Sequence, residues 1–397
     1  MNSQGSNARG NEFLPSYAKV ERELRKLISQ MHVGERLKSE RELCADMGVS
    51  RVTLRRAMER FHAEGFLDAR RGGGTWLVRE MAPLPLERMM GNRLIGLVVP
   101  TVENSLISRI VRGAEQCAAD RGYHVALAHD HGDMDYQIKQ LRRMVDDGVG
   151  GVAVYPDTKN LYREEFLALI REISKANIPL VMIDRYVPEI ETVSVLSDNF
   201  DGMYAATEHM ILTGHRRLAL LSFGAEGGVA DRDRRKGFLA ALQDYGMNSR
   251  PVLEAELGVA GHEISARKIV DEWVAKSDRN LGFDGIVCMQ DNMAYGAFLS
   301  LRDAGYSVPR DVALVGYDNL DREMFSAAGL RLTSVDQPSE EIGAEAARLL
   351  IDKMEGVAVE KRARHTLLKP KLVLRDSCGM EICEGEKKSE GGLCIPQ

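Results

Sequence analysis

Lys38-Ser39-Glu40-Arg41-Glu42-Leu43 and, after a break at Gly48-Val49, Ser50-Arg51-Val52-Thr53-Leu54-Arg55-Arg56 spell two helices joined by a tight turn. Ser39 is placed to cap the first helix while Glu42 reaches back three residues, which is the capping-box pattern. Leu43, Cys44 and Met47 then share one face, and Ser50 opens a second helix with Leu54, Ala57, Met58 and Phe61 on its inner side. Arg51 and Arg55 stand one turn apart on a different face. Two guanidiniums near a helix N-terminus suit phosphate or a guanine edge, and Thr53 suits phosphate or a thymine methyl. Upstream, Val20, Leu24, Leu27, Ile28 and Met31 recur at helical spacing, with a loop over Val33–Lys38 between. Downstream, Gly65 stops the second helix and Phe66–Val78 alternates as strand, turn and strand around Arg70-Arg71-Gly72-Gly73-Gly74. The first module therefore reads as an α+β winged helix-turn-helix. Gly72–Gly74 is no phosphate loop, because no Gly-Lys-Ser/Thr follows and a strand rather than a helix comes next.

Beyond Arg93 the texture changes. Apolar runs of strand length (Ile95–Val99, Val125–Ala128, Gly151–Tyr155, Leu180–Ile183, Leu218–Ser222, Gly285–Met289 and Val312–Val315) alternate with amphipathic segments of helix length. Those segments include Ser108–Arg121, Tyr136–Asp147, Asp201–Leu212, Arg234–Tyr245 and Met293–Ala304. Repeated βα units with buried strands mean a parallel doubly wound sheet, and so long a stretch suits two lobes with a ligand cleft at the carboxyl ends of the strands. Five segments follow: a disordered 1–14, a DNA-binding domain at 15–79, a linker at 80–92 with Pro83 and Pro85, a two-lobed effector and dimerisation domain at 93–377, and a flexible tail at 378–397. No internal repeat shows.

Composition narrows the class. With 44% hydrophobic and 28% charged residues in 397, the chain has the make-up of an ordinary folded protein. No stretch nears the roughly 18 apolar residues of a membrane span, and Met1–Asn11 has no apolar signal core, so a cytoplasmic protein without membrane partner is expected. Met1–Glu80 holds fifteen Lys and Arg against eleven Asp and Glu, an excess of four within a chain of net charge −6. A basic module on an acidic body suits a polyanionic partner. Cys44, Cys117 and Cys288 read as small buried hydrophobes. Cys378, Cys383 and Cys394 fall in the tail without C-x-x-C spacing or an adjacent His, so no metal is assigned and no cofactor is expected.

The first module resembles the GntR family of regulators through the two helices quoted above, Glu64-Gly65-Phe66-Leu67 and Arg71-Gly72-Gly73-Gly74-Thr75. Lys38 departs from the Pro usual there. The resemblance implies operator-DNA contacts from Arg41, Arg51, Thr53 and Arg55, with Arg71, Gly72 and Gly73 of the wing at the minor groove. The second module is similar to the LacI-type, periplasmic-binding-protein-like sensor domain through Ile95-Gly96-Leu97-Val98-Val99-Pro100, Gly113, Glu115, Arg121-Gly122-Tyr123, Asp198-Asn199, Gly214-His215-Arg216, Gly237-Phe238, Val315-Gly316-Tyr317-Asp318 and Leu374-Arg375-Asp376-Ser377. The pair together looks like the arabinose-repressor group. It implies a two-lobed α/β sensor with a sugar-type site formed by Asp184, Arg232, Arg234, Gln290, Asp291, Asp318 and Gln337. Gln290 departs from the usual Asn, and Gly261-His262 stands where a stacking aromatic is common. Asp198 and Asn199 read as turn residues, and His215 as a helix cap.

A homodimeric repressor released by a small sugar is the expectation, since one winged module reads only a half-site. A purine effector is the alternative, followed by a sugar receptor or an enzyme on the same fold. No nucleophile elbow, metal-spaced His cluster or nucleotide loop supports the enzyme reading.

Overall fold

The structure is a computed structural model that describes residues 16–379 apart from 30, 71–72, 81–92, 131–132, 159, 188, 224–227, 249–251, 255–260, 279, 321–322 and 358–364. Two units separate, Met1–Asn92 and Arg93–Gln397.

In the first unit, α1 (Ser16–Ser29), α2 (Glu40–Met47) and α3 (Arg51–Ala63) precede a two-stranded wing, β1 (Leu67–Arg70) and β2 (Gly74–Leu77). The capping box forms: Ser39 Oγ accepts from the Glu42 amide at 3.3 Å and Glu42 Oε2 accepts from the Ser39 amide at 2.8 Å. Such a cap stabilises a helix start by about 1 kcal/mol. Gly48 ends α2 at φ 63°, a left-handed conformation in which a Cβ would be strained. Leu54, Ala57, Met58 and Phe61 of α3 are all buried, packed with Val20, Leu24, Ile28 and Leu43. The loop expected over Val33–Lys38 is present and also bridges to β2 at Arg36: Leu77 N–H donates to Glu35 O at 2.9 Å and Leu37 N–H to Thr75 O at 2.9 Å. So short a pairing has no periodicity of its own to announce it.

The second unit holds two six-stranded sheets. One contains β3 (Leu94–Val99), β4 (His124–His129), β5 (Gly151–Val154), β6 (Leu180–Ile183), β7 (Val193–Ser197) and β13 (His365–Leu368). The other contains β8 (Leu218–Ser222), β9 (Val252–Glu254), β10 (Gly285–Cys288), β11 (Ala313–Tyr317), β12 (Thr333–Asp336) and β14 (Lys371–Val373). Between strands run α4 (Ser105–Asp120), α5 (Met134–Asp146), α6 (Glu164–Lys175), α7 (Asn199–Leu212), α8 (Gly228–Asp244), α9 (His262–Lys276), α10 (Asp291–Asp303), α11 (Glu323–Ala327) and α12 (Ser339–Met354). β5, β6, β8, β10 and β11 are buried along their whole length, which is why they read as unbroken apolar runs. Among the described residues of this unit every ladder is parallel except that of β12 with β14.

The strand orders, β13-β7-β6-β5-β3-β4 and β14-β12-β11-β10-β8-β9, are one path walked twice. A structural repeat is thus present where the sequence shows none, because parallel ladders are made by backbone and leave side chains free to diverge. The chain crosses between lobes after β7, after β12 and between β13 and β14. Each crossing helix packs on the sheet it enters: α12 on β3, β5, β6 and β7 through Ile342, Ala346 and Leu350, and α7 on the second sheet through Met203, Ala206 and Met210.

Cys288 is buried as expected, while Cys44 and Cys117 are half-buried. Cys378, expected in the tail, is buried against the second sheet and accepts a hydrogen bond from Thr333 Oγ1 at 3.2 Å. Cys383 and Cys394 lie outside the described residues. Among the described residues no helix is long and apolar enough to cross a membrane, and no cluster of three or more His, Cys, Asp or Glu could hold a metal ion.

Candidate functional site

On the first unit, Arg41, Arg51 and Arg55 are exposed and Thr53 is half-exposed. Ser50 Oγ accepts from the Thr53 amide at 3.2 Å and lies 2.9 Å from Thr53 Oγ1, so the cap also steers the threonine hydroxyl. Arg55 is not free: its Nε donates to Glu40 Oε2 at 3.0 Å, and its Nη2 is 3.0 Å from the same oxygen. Gly73 holds the wing turn, its amide donating to Arg70 O at 2.8 Å. Arg71 and Gly72 lie outside the described residues.

In the second unit a cavity of about 340 Å³ opens between the lobes, lined by Asp184, Arg234, Gln290, Asp318 and Gln337 among others. Asp184 follows β6 and Asp318 follows β11, strands that occupy equivalent places in the repeat. Each amide donates to the neighbouring strand, Asp184 to Val195 O at 2.9 Å and Asp318 to Val335 O at 2.8 Å. Each residue also has positive φ, 64° and 102°, a costly backbone state for a residue with Cβ. Two equivalent strand ends thus turn a carboxylate into the cleft.

Each carboxylate keeps one oxygen for the protein. Asp184 Oδ2 accepts from Tyr155 Oη at 2.6 Å, and Asp318 Oδ1 from Gln337 Nε2 at 2.7 Å. Asp184 Oδ1 and Asp318 Oδ2 have no hydrogen-bond partner among the described residues. Arg234 is buried, its guanidinium 3.7 Å above the Tyr317 ring. It donates through Nη1 to Met289 O at 2.6 Å and through Nε to Asn199 Oδ1 at 2.8 Å, with Nη2 3.6 Å from Asp318 Oδ1. Burial raises the Asp318 carboxyl to about 6 against the opposing pull of Arg234. Asp231 is raised to about 6 for the same reason.

Gln290 turns to His262, with Nδ1 to Oε1 at 2.6 Å, and the His262 ring lies 4.6 Å from that of Phe223. Burial lowers the His262 pKa, so at neutral pH the ring is uncharged. Phe223, directly after β8, gives the cavity wall an aromatic surface beside His262.

Two expected ligands do not line the cavity. Arg232 is exposed: two residues from Arg234, it points about 200° around α8. Asp291 is buried elsewhere, accepting from Ser334 Oγ at 2.6 Å and the Leu320 amide at 2.7 Å, while its neighbour Asn292 takes the place on the wall. Conversely, Asn199, read as a turn residue, supports Arg234, and Tyr155, Arg185 and Asp231 join the site. Asp198 caps α7 by accepting from the Asp201 amide at 3.0 Å. The His215 amide caps the end of α7 by donating to Met210 O, and its ring reaches Cys378 O at 3.1 Å.

Burial, followed by the nearby Asp318 charge, raises the Asp291 carboxyl to about 8, so it is protonated at neutral pH. The folded state then holds a proton that the unfolded chain releases near its ordinary value of 3.8, and stability falls as pH rises from about 4 to about 8. Asp231 and Asp318 act in the same sense only up to about 6. Between pH 6 and 8, therefore, the melting temperature of Asp291→Asn is expected to stay flatter than that of the parent chain. Parallel melting curves over that range would remove Asp291 as the cause.

Residues 16–77 match the model of bacterial regulatory proteins of the gntR family, and residues 207–378 that of a periplasmic binding protein-like domain. The arabinose metabolism transcriptional repressor of Geobacillus stearothermophilus is 29% identical over 92% of this chain and 98% of its own length. The HTH-type transcriptional repressor PurR of Aliivibrio fischeri is 26% identical over 72% of this chain and 81% of its own. A putative ribose operon repressor from Burkholderia thailandensis superposes with a TM-score of 0.59 at 25% identity, covering 71% of this chain and 99% of that one. The chain therefore joins a GntR-family DNA-binding domain to a periplasmic-binding-protein-like sensor domain of LacI type.

Proposed function

We propose that the chain is a transcriptional repressor that releases its operator when a small neutral sugar enters the cavity between the lobes. The relatives supporting repression span both domains. The observation that carries the ligand class is the facing pair Asp184 and Asp318, each with one unengaged oxygen, beside the fixed guanidinium of Arg234. Unengaged carboxylate oxygens accept from paired hydroxyls, and Arg donates to ring or hydroxyl oxygens. The wall carries Asp157, Asp184, Asp231 and Asp318 against Arg185 and Arg234, an excess of negative charge that disfavours a phosphorylated ligand. About 340 Å³ is at the small end of ligand sites and suits a pentose or similar sugar. The residues proposed to touch it are Asp184, Arg234, Gln290, Asp318 and Gln337.

The protein acts as a cytoplasmic homodimer without catalysing a reaction. Sugar binding changes the closure of the lobes and with it the spacing of two DNA-reading heads. Arg41, Arg51, Thr53 and Arg55 are the proposed DNA contacts on the two helices, with Arg71, Gly72 and Gly73 on the wing.

Isothermal titration with pentoses, including L-arabinose, with hexoses and with purine bases tests the ligand class. Asp318→Ala should weaken the bound sugar by about 1.5–3 kcal/mol, as expected for a lost hydrogen bond to a charged group, and leave operator binding intact. A response to purines alone, or to phosphorylated sugars alone, would refute the neutral-sugar reading.

A further inference from the structure

Asp318 and Gln337 both belong to the second lobe or its boundary, yet one side chain from the first lobe holds the backbone around them. Arg109, on α4, donates through Nη1 to Asp336 Oδ1 at 2.7 Å and through Nη2 to the main-chain carbonyl of Asp318 at 3.2 Å. Asp336 directly precedes Gln337, whose amide donates to Asp318 Oδ1. The four residues close a ring: Arg109 to Asp318, Asp318 to Gln337, Gln337 along the chain to Asp336, and Asp336 back to Arg109.

We infer that Arg109 is a positioning residue of the effector cavity, a tie across the lobes that sets where the Asp318 carboxylate and the Gln337 amide stand. It does not itself line the cavity. Its action is through the segment it grips, and two features make that segment need a grip. Asp318 and Asn319 both have positive φ, 102° and 48°, so the turn persists only while its surroundings impose it. Asp336–Ser339 is one of the places where the chain passes between lobes, so a fork from the opposite lobe sets the angle as well as the turn. The Arg109 side chain is three-quarters buried and that of its partner Asp336 nearly so, which places the pair outside the class of fully solvated ion pairs that contribute little. On the same helix, Leu106 and Ile107 do line the cavity. A ligand touching them and Asp318 together therefore bears on both ends of the Arg109 tie.

The inference adds a positioning role to the cavity proposed above, but its test needs no ligand. Amide hydrogen exchange in the full-length, ligand-free chain reports on the turn through three bonds: Asp318 N–H to Val335 O, Asn319 N–H to Ser334 Oγ at 3.0 Å, and Leu320 N–H to Asp291 Oδ2. Arg109→Ala should speed exchange at residues 318–320 by about tenfold or more, the consequence of losing charge-assisted bonds that oppose local opening. Asp336→Asn, which keeps the shape and weakens one arm, should give a smaller acceleration at the same amides. Arg109→Lys retains the charge toward Asp336 but not the planar fork, and should fall between parent and Ala. Unchanged exchange at 318–320 in Arg109→Ala overturns the inference whatever ligand the cavity takes. So does acceleration spread evenly across the second lobe in both Arg109→Ala and Asp336→Asn, since Arg109 would then hold up the fold at large. An empty sugar panel, by contrast, bears only on the ligand class.

Discussion

Arg51→Ala is expected to lower affinity for operator DNA by about 1–3 kcal/mol, the range for a lost base-directed Arg pair. Arg51 is the first residue of α3, exposed and without an ion pair among the described residues, so its guanidinium is available to DNA at no internal cost. Arg55, one turn on, starts from a different position. It is already bonded to Glu40, and DNA must compete with that carboxylate before gaining the contact. Arg55→Ala should therefore cost less than Arg51→Ala, although the two look equivalent in sequence. Gel-shift titrations against an operator selected from a random duplex library would measure both. Undiminished binding by Arg51→Ala would remove α3 as the reading helix. A larger loss for Arg55→Ala would show that the Glu40 pair positions the arginine for DNA rather than occupying it. Ligand binding to the second unit should be unaffected in either variant.

The second large effect belongs to the joint between α4 and α12. A Cβ built on Gly113 would stand 1.9 Å from the Glu340 carbonyl oxygen, and one on Gly343 would stand 1.9 Å from that of Ile110. The two helices touch backbone to backbone at reciprocal glycines, so neither can shift without moving a whole helix. Overpacking an ordinary core costs about 1–3 kcal/mol because side chains give way, and more where only backbone stands opposite. Gly113→Val is expected to destabilise the second unit by about 3 kcal/mol or more on that argument, with Gly343→Val comparable. Denaturant unfolding followed by circular dichroism measures this, and an unmoved midpoint in both variants would mean that the helices are not packed this closely. Because α4 also carries Arg109 and α12 begins just beyond Gln337, even a tolerated substitution here should disturb the cavity.

The amino-acid order alone determined those parts of the molecule that depend on neighbours a few residues away. The capping box at Ser39 and Glu42, the left-handed turn at Gly48 and the inner face of α3 are local, since each rests on a hydrogen bond or periodicity within a turn or two. The fully buried strands were legible for a related reason: a strand covered on both faces has no polar positions to interrupt it. Asp184, Arg234, Asp318 and Gln337 stand on the cavity wall where the family resemblance implies.

Only the tertiary structure decided which neighbours of these residues join them. Arg232 and Arg234 are two positions apart and identical in chemistry, but helical geometry sends one to solvent and the other beneath Asp318. Asp291 and Asn292 are adjacent, and the acid turns to Ser334 while the amide takes the wall. Asn199 could be seen as a support for Arg234 only after α7 and α8 were packed, because a hydrogen bond across 35 residues leaves no mark on local pattern. The bridge between Arg36 and Trp76 of β2, the doubled strand order and the Arg109 tie are hidden for the same physical reason. Local bonds and burial write a periodicity into the chain, whereas contacts between distant segments depend on where folding brings them.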